Sequence, residues 1–452
     1  MQFELTKEYI SELQECLNDN LGADLLNEVN QLHPADIADI CDELETEEVI
    51  LLYQCLDPEI ATDVLVELEE DVREKLLRNL SPKEIAENFI DNMDSDDAAD
   101  IMAELSDEKK DEVISAITDI DLASDIVDLL LYPEDSAGGL MAKELIKVRI
   151  NWTLIQCLRE MRKQAEDIED VYTIYVVDNQ DKLIGTLSLK KLLLAPGGAT
   201  VKDLYFEEIR SVKAYEKSDE IASIMEKYDL VVLPVVDELN RLIGRITIDD
   251  IVDVIKEEAD KDYQMASGIS ESVDSTDSVK VLTRARLPWL LVGLLGGILG
   301  ALVIGQYEDT LQIYPEMALF IPLIAAMGGN VGVQSSAIIV QGLANNSLGF
   351  DNLFQRLRKE FLVALLNGVV CSILIFAYTI LYKDSNELAA TVSVALVLVI
   401  VFAGLFGTFV PLMLDKYKID PALATGPFIT TMNDIVGLFI YFGIGHLMYI
   451  WL

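Results

Sequence analysis

The chain has 452 residues, 51% of them hydrophobic, with 34 basic against 78 acidic side chains and a formal net charge of −44. A surface of that sign repels nucleic acid and anionic headgroups and concentrates cations, so a nucleic-acid partner is excluded and a metal ion or a basic protein is the natural one. The charge is unevenly spread: from Arg284 onward eight basic residues face ten acidic ones, which leaves −42 on the first 283.

The cysteines Cys16, Cys41, Cys55, Cys157 and Cys371 are widely spaced and include no CxxC pair, so neither a zinc site nor a disulfide framework is implied. Residues 1–10 carry Glu4, Lys7 and Glu8 and do not read as a signal peptide, so internal spans are expected to direct the chain to the membrane. Further on, short helical units recur at about 24 residues: Leu32-His33-Pro34-Ala35-Asp36-Ile37-Ala38, Leu56-Asp57-Pro58-Glu59-Ile60-Ala61 and Leu80-Ser81-Pro82-Lys83-Glu84-Ile85-Ala86. A capping residue followed by proline marks a helix start, and the recurrence predicts a small α-solenoid. His33 belongs to such a start rather than to a ligand set, because no second His or Cys stands nearby.

Residues 137–258 contain an internal duplication. Tyr175-Val176-Val177-Asp178 and Leu183-Ile184-Gly185-Thr186-Leu187-Ser188-Leu189 return as Pro234-Val235-Val236-Asp237 and Leu242-Ile243-Gly244-Arg245-Ile246-Thr247-Ile248, with a spacing of 59. Each copy reads as strand, turn, strand between amphipathic helices. Two acidic runs flank the pair: Asp94-Ser95-Asp96-Asp97-Ala98-Ala99-Asp100, and Asp249 through Asp253 and Glu258 to Asp262. Carboxylates three to five residues apart on a helix share a side and repel. At ~5 Å and an effective dielectric of ~20 each pair costs up to ~3 kcal/mol before screening, a term that a divalent cation reverses.

Beyond Arg286 come five apolar stretches of bilayer length, at about 287–306, 317–343, 361–382, 388–414 and 421–450. Arg284, Arg286, Arg356, Arg358, Lys359, Lys416 and Lys418 fall on one side of a five-span chain, while the opposite loops hold Glu308, Asp309 and Glu316, then Lys383 beside Asp384 and Glu387. The basic loops place the N-terminal half in the cytosol and the C-terminus outside.

Asp434 is the only carboxylate expected deep in a span, with Thr430 and Thr431 one turn before it and Pro427 freeing a carbonyl nearby. No Lys or Arg lies in a span to pair with it, which leaves a cation, a proton or a symmetry mate. Met327-Gly328-Gly329-Asn330-Val331-Gly332-Val333-Gln334 puts Asn330 and Gln334 on one helix face, as a water-lined path requires. Magnesium suits such groups, being hard, oxygen-seeking and reluctant to dehydrate. Two copies of Asp434 across a dimer axis would supply the charge that one cannot.

The duplication resembles a tandem pair of CBS domains, a regulatory module that often binds adenine nucleotides. Its second copy ends Thr247-Ile248-Asp249-Asp250, which suits the ribose-contacting pattern at Thr247; the first has Ser188-Leu189-Lys190-Lys191 there. Together the solenoid, the pair, the acidic linker, the five spans, Met-Gly-Gly-Asn-x-Gly-x-Gln and Pro-Phe-x-Thr-x-x-x-Asp resemble the MgtE family of magnesium channels over essentially the whole chain. The resemblance implies a multi-domain fold. It comprises an all-α superhelical domain at 1–130, an α+β CBS pair at 131–200 and 201–258, a linker or plug helix at 259–283, and an all-α five-helix pore at 284–452. It implies a homodimer in the lipid bilayer of the cytoplasmic membrane, with its ion path lined by the second and fifth spans.

Carried residue by residue, the resemblance places magnesium in the pore at Asp434, Asp420, Asn330, Gln334, Thr430, Thr431 and Asn433. Regulatory magnesium falls to Asp63, Asp96, Asp100, Asp219, Asp229, Asp250, Asp253, Glu258 and Asp262, and ATP is the nucleotide the CBS pair could hold. Lys217 and Lys261 stand where the family can be acidic, which leaves the number of regulatory ions open. The expected mechanism is negative feedback, in which cytosolic magnesium draws the acidic faces together and seats the linker against the pore. Two other readings remain: a proton-coupled transporter that uses Asp434 as proton carrier, and a non-conducting, membrane-anchored nucleotide sensor. No P-loop, GxSxG elbow or histidine constellation suggests an enzyme.

Overall fold

In the computed structural model the described residues are 5–451 apart from 20–22, 166–167, 169–170, 197, 275–276, 345–347, 350–351, 384 and 425. Asp384, used above to place the outer loops, lies outside them. The chain divides into two units, Met1–Ile255 and Lys256–Leu452.

The first unit opens with α1 (Lys7–Asp19), α2 (Ala23–Val29), α3 (Pro34–Asp42), α4 (Thr46–Tyr53), α5 (Pro58–Glu67), α6 (Glu70–Asn79) and α7 (Pro82–Asn88). It continues with α8 (Ser95–Glu104), α9 (Asp107–Ala116) and α10 (Ile120–Leu129). Proline is the first residue of α3, α5 and α7, at the recurrence the sequence predicts. His33 does cap α3, its Nδ1 accepting from the Ala35 amide at 3.3 Å. Ser81 and Glu84 close a capping box on α7, whereas Asp57 stands at the N-cap of α5 without a side-chain cap bond.

The duplicated region folds as two three-stranded sheets. β1 (Ile146–Arg149), α11 (Leu154–Gln164), β2 (Ile174–Val177), β3 (Leu183–Leu187), α12 (Leu189–Leu194) and α13 (Val201–Leu204) form the first copy. β4 (Val212–Lys213), α14 (Ser218–Tyr228), β5 (Val232–Val236) and β6 (Leu242–Thr247) form the second, which runs into α15 (Ile248–Ala266). In each sheet a parallel pair is followed by an antiparallel hairpin. The hairpins meet through their turns, where the Leu183 amide donates to the Asn240 carbonyl and the Leu242 amide to that of Asp181, each 3.0 Å. The first copy keeps its own core around Val148, Cys157, Ile174 and Val176. The second shares one continuous core with the helices α1 to α10, from Leu13 and Ile37 through Met102 to Leu233 and Ile246. That shared core fixes the acidic α8 against the strand that leads into α15.

The second unit holds the end of α15, then α16 (Val279–Gln306), α17 (Glu308–Ile313), α18 (Ile321–Ala344), α19 (Leu353–Lys383), α20 (Asn386–Lys416) and α21 (Pro427–Trp451). Five helical segments among the described residues are long and apolar enough to cross a membrane: Val279–Gln306, Pro315–Ala344, Leu353–Tyr382, Asn386–Lys416 and Pro427–Met448. Several boundaries differ from the sequence expectation. The linker helix ends at Ala266 and does not run on to the expected 283, because the chain turns at Gly268 (φ +84) before α16 begins. The fifth span starts at Pro427 and not at 421, since Pro421–Ala424 is a 3-10 turn and Gly426 has φ +53. As the first residue of its helix, Pro427 displaces no hydrogen bond and frees no carbonyl. The third span begins about two turns early, which brings Glu360 inside a helix as a second carboxylate of the bundle.

Candidate cation sites

Gly328, Gly329 and Gly332 bring α18 against α21, and the residues of α21 divide among three faces there. Thr430 and Asp434, one turn apart, face Gly329: a Cβ on that glycine would stand 3.1 Å from Thr430 Cγ2 and 3.8 Å from Asp434 Oδ1. The Thr430 hydroxyl donates to the Gly426 carbonyl at 3.0 Å. Thr431 turns instead to α16, where a Cβ on Gly296 would overlap its methyl group. Asn433 is buried against Gly328 and Gly332 of α18. Of the threonine and asparagine neighbours expected around Asp434, only Thr430 therefore shares its face. Asn330 and Gln334 are exposed on α18, next to Gly329 and one turn on.

At one end of this bundle the linker packs against the start of α21. A Cβ on Gly426 would stand 2.5 Å from the Ala266 carbonyl oxygen, and one on Gly268 would stand 2.5 Å from Pro427 Cγ. Ser270 donates to the Ala285 carbonyl through both its amide and its hydroxyl. Asp420 is exposed and accepts from the Ala422 amide at 2.8 Å. Desolvation and then the Asp420 charge push the Asp262 carboxyl above its ordinary range, so the structure brings these two expected ligands together.

In the first unit Asp94, Asp96 and Glu144 each direct one carboxylate oxygen into a group whose members lie within 4.8 Å of one another. The anchor is Ser95 of α8, whose hydroxyl donates to Glu144 at 2.8 Å while accepting from the Lys143 amide at 2.9 Å. Arg245 of β6, buried, pairs with Asp94 at 3.7 Å. Desolvation, and then the Asp250 charge, push Asp97 up to about 7 and Asp100 up to about 6. Asp96 is held well above the usual carboxylate range by desolvation and then by Asp97 and Asp250. Asp250 is raised by desolvation too, although Thr247 donates to it, and Asp249 and Asp253 add to its charge environment. Of the expected ligands, Asp96, Asp100 and Asp250 therefore crowd one another, whereas Asp253 is exposed and acts on Asp250 only as a further charge. Asp63 on α5, Asp219 on α14, Asp229 at its C-cap and Glu258 on α15 are exposed.

A carboxyl whose folded pKa exceeds the unfolded value of about 3.9 holds extra protons in the folded state. The stability it contributes is complete below about pH 4 and is lost as pH rises through its folded value. For Asp97 and Asp100 that window closes near 7 and 6, and Asp42, raised to about 6 by desolvation and Glu69, adds to it. Thermal unfolding of the whole chain without divalent cations is expected to show this half losing Tm between about pH 5 and about pH 7.5, with magnesium flattening the trend. A Tm that climbs across that range would contradict the crowding.

In the second CBS-like copy Thr247 caps α15: its amide and hydroxyl donate to Asp250 Oδ2 at 3.2 and 2.6 Å, and it is buried. The first copy instead holds a cavity of about 280 Å³ lined by Tyr172, Thr186, Lys190 and Phe206, among others. Lys191 Nζ lies 3.4 Å from the centre of the Phe206 ring.

The profile of the MgtE family, described as a divalent cation transporter, matches residues 321–444. The profile of the MgtE intracellular N domain matches 32–135, and that of the CBS domain matches 137–198 and 201–257. The chain is similar to a protein of Bacillus subtilis named "Magnesium transporter MgtE", 34% identical over 95% of this chain and 94% of that one. A protein of the same name from Thermus thermophilus is 32% identical over 96% and 97%. The chain belongs to the MgtE family. A solved structure titled the cytosolic domain of the Mg2+ channel MgtE in complex with ATP matches this MgtE chain at 33% identity. The match has a TM-score of 0.50 and covers 54% of this chain and 99% of that one.

Among the carboxylates of this MgtE chain, Asp94, Asp97 and Glu144 escaped the sequence reading. Asp97 lies within the acidic run and could have been added for its position alone. Glu144 arrives from 48 residues beyond Asp96, with no local signal to pair them.

Proposed function

We propose that the chain admits magnesium to the cytosol through a path shared by two copies, and that cytosolic magnesium closes it. The observation that carries this reading is the exposed face of α18. Asn330 and Gln334 stand uncovered on a membrane-length helix, beside the glycine that Asp434 abuts. Uncovered amides are costly in hydrocarbon, so a second copy or a water-filled path must meet them, and a two-fold mate supplies both along with a second Asp434. The names of the relatives support magnesium as the ion, and the basic residues of the loops support a cytosolic N-terminus and an extracytoplasmic C-terminus.

Closure uses the cluster around Asp96, Asp100 and Asp250, with Asp94, Asp97 and Glu144 added to the residues expected from sequence. Magnesium bound there offsets their repulsion and holds α8 to the start of α15. The far end of α15 meets Asp420 and the start of α21, which gives the bound ion a route to the path. Asp63, Asp219, Asp229 and Glu258 remain proposed ligands of further regulatory ions. ATP is proposed for the first CBS copy, where Tyr172 and Phe206 offer rings and Lys190 a charge, in place of the Thr247 site.

Purified protein in liposomes with low internal magnesium is expected to pass the ion down its gradient with no pH difference imposed. Flux that appears only with a pH gradient would favour the proton-coupled reading, and nucleotide binding without flux the sensor.

A further inference from the structure

We propose that each chain carries a second cation site inside its membrane bundle, built on Glu360 and matched in charge to a monovalent ion such as sodium. The first observation is a convergence of three helices. Glu360 Oε1 of α19 accepts from Ser335 Oγ of α18 at 2.7 Å, and a Cβ on Gly404 of α20 would stand 2.9 Å from that oxygen and 3.6 Å from that hydroxyl. The glycine lets the carboxylate lie directly against α20.

The second observation is a set of buried polar groups on α18, α20 and α21. Ser336 is 0% exposed, Thr408 1% and Asn433 1%, yet Ser336 Oγ, Thr408 Oγ1 and both amide atoms of Asn433 make no hydrogen bond among the described residues. Glycine contacts tie these groups to the convergence: a Cβ on Gly332, one turn before Ser336, would overlap Asn433 Nδ2, and the Gly332 carbonyl oxygen would stand 2.4 Å from a Cβ on Gly407, the residue before Thr408. Glu360 meets α20 at Gly404, one turn before Thr408, and α18 at Ser335, the neighbour of Ser336.

Unpaired groups of this kind are costly where no bulk water reaches them. Carboxylate, hydroxyl and amide oxygens are what a hard cation takes as ligands. One carboxylate among neutral oxygens balances a single positive charge, and among the described residues Glu360 forms no ion pair. A doubly charged ion would be left half compensated. The site is distinct from Asp434, which lies about 100° round α21 from Asn433 and faces Gly329.

The test uses the full chain in nanodiscs with divalent cations chelated, exchanging choline chloride for sodium chloride at constant ionic strength. Wild type and Asp434→Ala are expected to show a saturable rise in Tm of several degrees and about one bound sodium-22 per chain, and Glu360→Gln to lose both. No sodium-dependent rise in wild type, or an undiminished rise in Glu360→Gln, would mean that Glu360 is a hydrogen bond between helices only and would overturn the site. Should Glu360→Gln fail to fold, the Ser336→Ala, Thr408→Val pair decides: a sodium affinity at least tenfold lower supports the site, and an unchanged one overturns it. No magnesium flux enters these measurements, so their failure leaves the magnesium reading standing.

Discussion

Asp434→Ala is expected to lower magnesium entry into liposomes by about 100-fold or more while leaving the protein folded. The carboxylate is half-buried against Gly329, beside the exposed amides of α18, where few other charges are available to offset a divalent ion. Removing one charge at ~5 Å and an effective dielectric of ~20 forfeits about 3 kcal/mol, and a two-fold path loses it twice. Each 1.4 kcal/mol is tenfold in rate, so even the loss from one copy accounts for the expected fall. Asp434→Asn keeps the shape and should be nearly as inactive. Full flux in Asp434→Asn, with elution and Tm unchanged, would place the path elsewhere.

The second large effect concerns closure. Flux through the Asp96→Asn, Asp100→Asn, Asp250→Asn protein is expected to be the same whether internal magnesium is absent or millimolar, whereas wild type is expected to fall silent at millimolar magnesium. The same variant should have a higher Tm than wild type without magnesium, because it lacks the repulsion, and should show little of the wild-type rise when magnesium is added. Asparagine at 250 retains an oxygen for the Thr247 amide and hydroxyl, so α15 keeps its cap. Silence of the variant at high internal magnesium would mean that closure is signalled from other carboxylates.

Much of this architecture is written locally. Proline after a cap starts α3, α5 and α7, and the 59-residue spacing from Asp178 to Asp237 recurs between the left-handed turn residues Asp181 and Asn240. The acidic site was half legible, since Asp96, Asp100 and Asp250 advertise themselves as charge runs, whereas Glu144 joins them only because Ser95 reaches across to it. What sequence could not divide was the motif of the fifth span. Thr430, Thr431, Asn433 and Asp434 are consecutive enough to look like one ligand set, yet 100° per residue sends them to α18, α16 and the protein interior. Glu360 was missed for a different reason. Hydropathy ends a span at the first cluster of charges, but the α19 helix continues through Arg356, Arg358 and Lys359 to Leu353.

The Ala266 carbonyl bears on Gly426, the residue immediately before the helix that carries Asp434 two turns further on. A stiff helix leaves little between them to absorb motion, so whatever the linker does at Gly426 is felt at the carboxylate. Under the closure proposed above, shutting the passage and changing how firmly the passing ion is held become one event. Because such linkage is reciprocal, the ion in transit biases the gate by the same free energy with which the gate alters its grip on the ion.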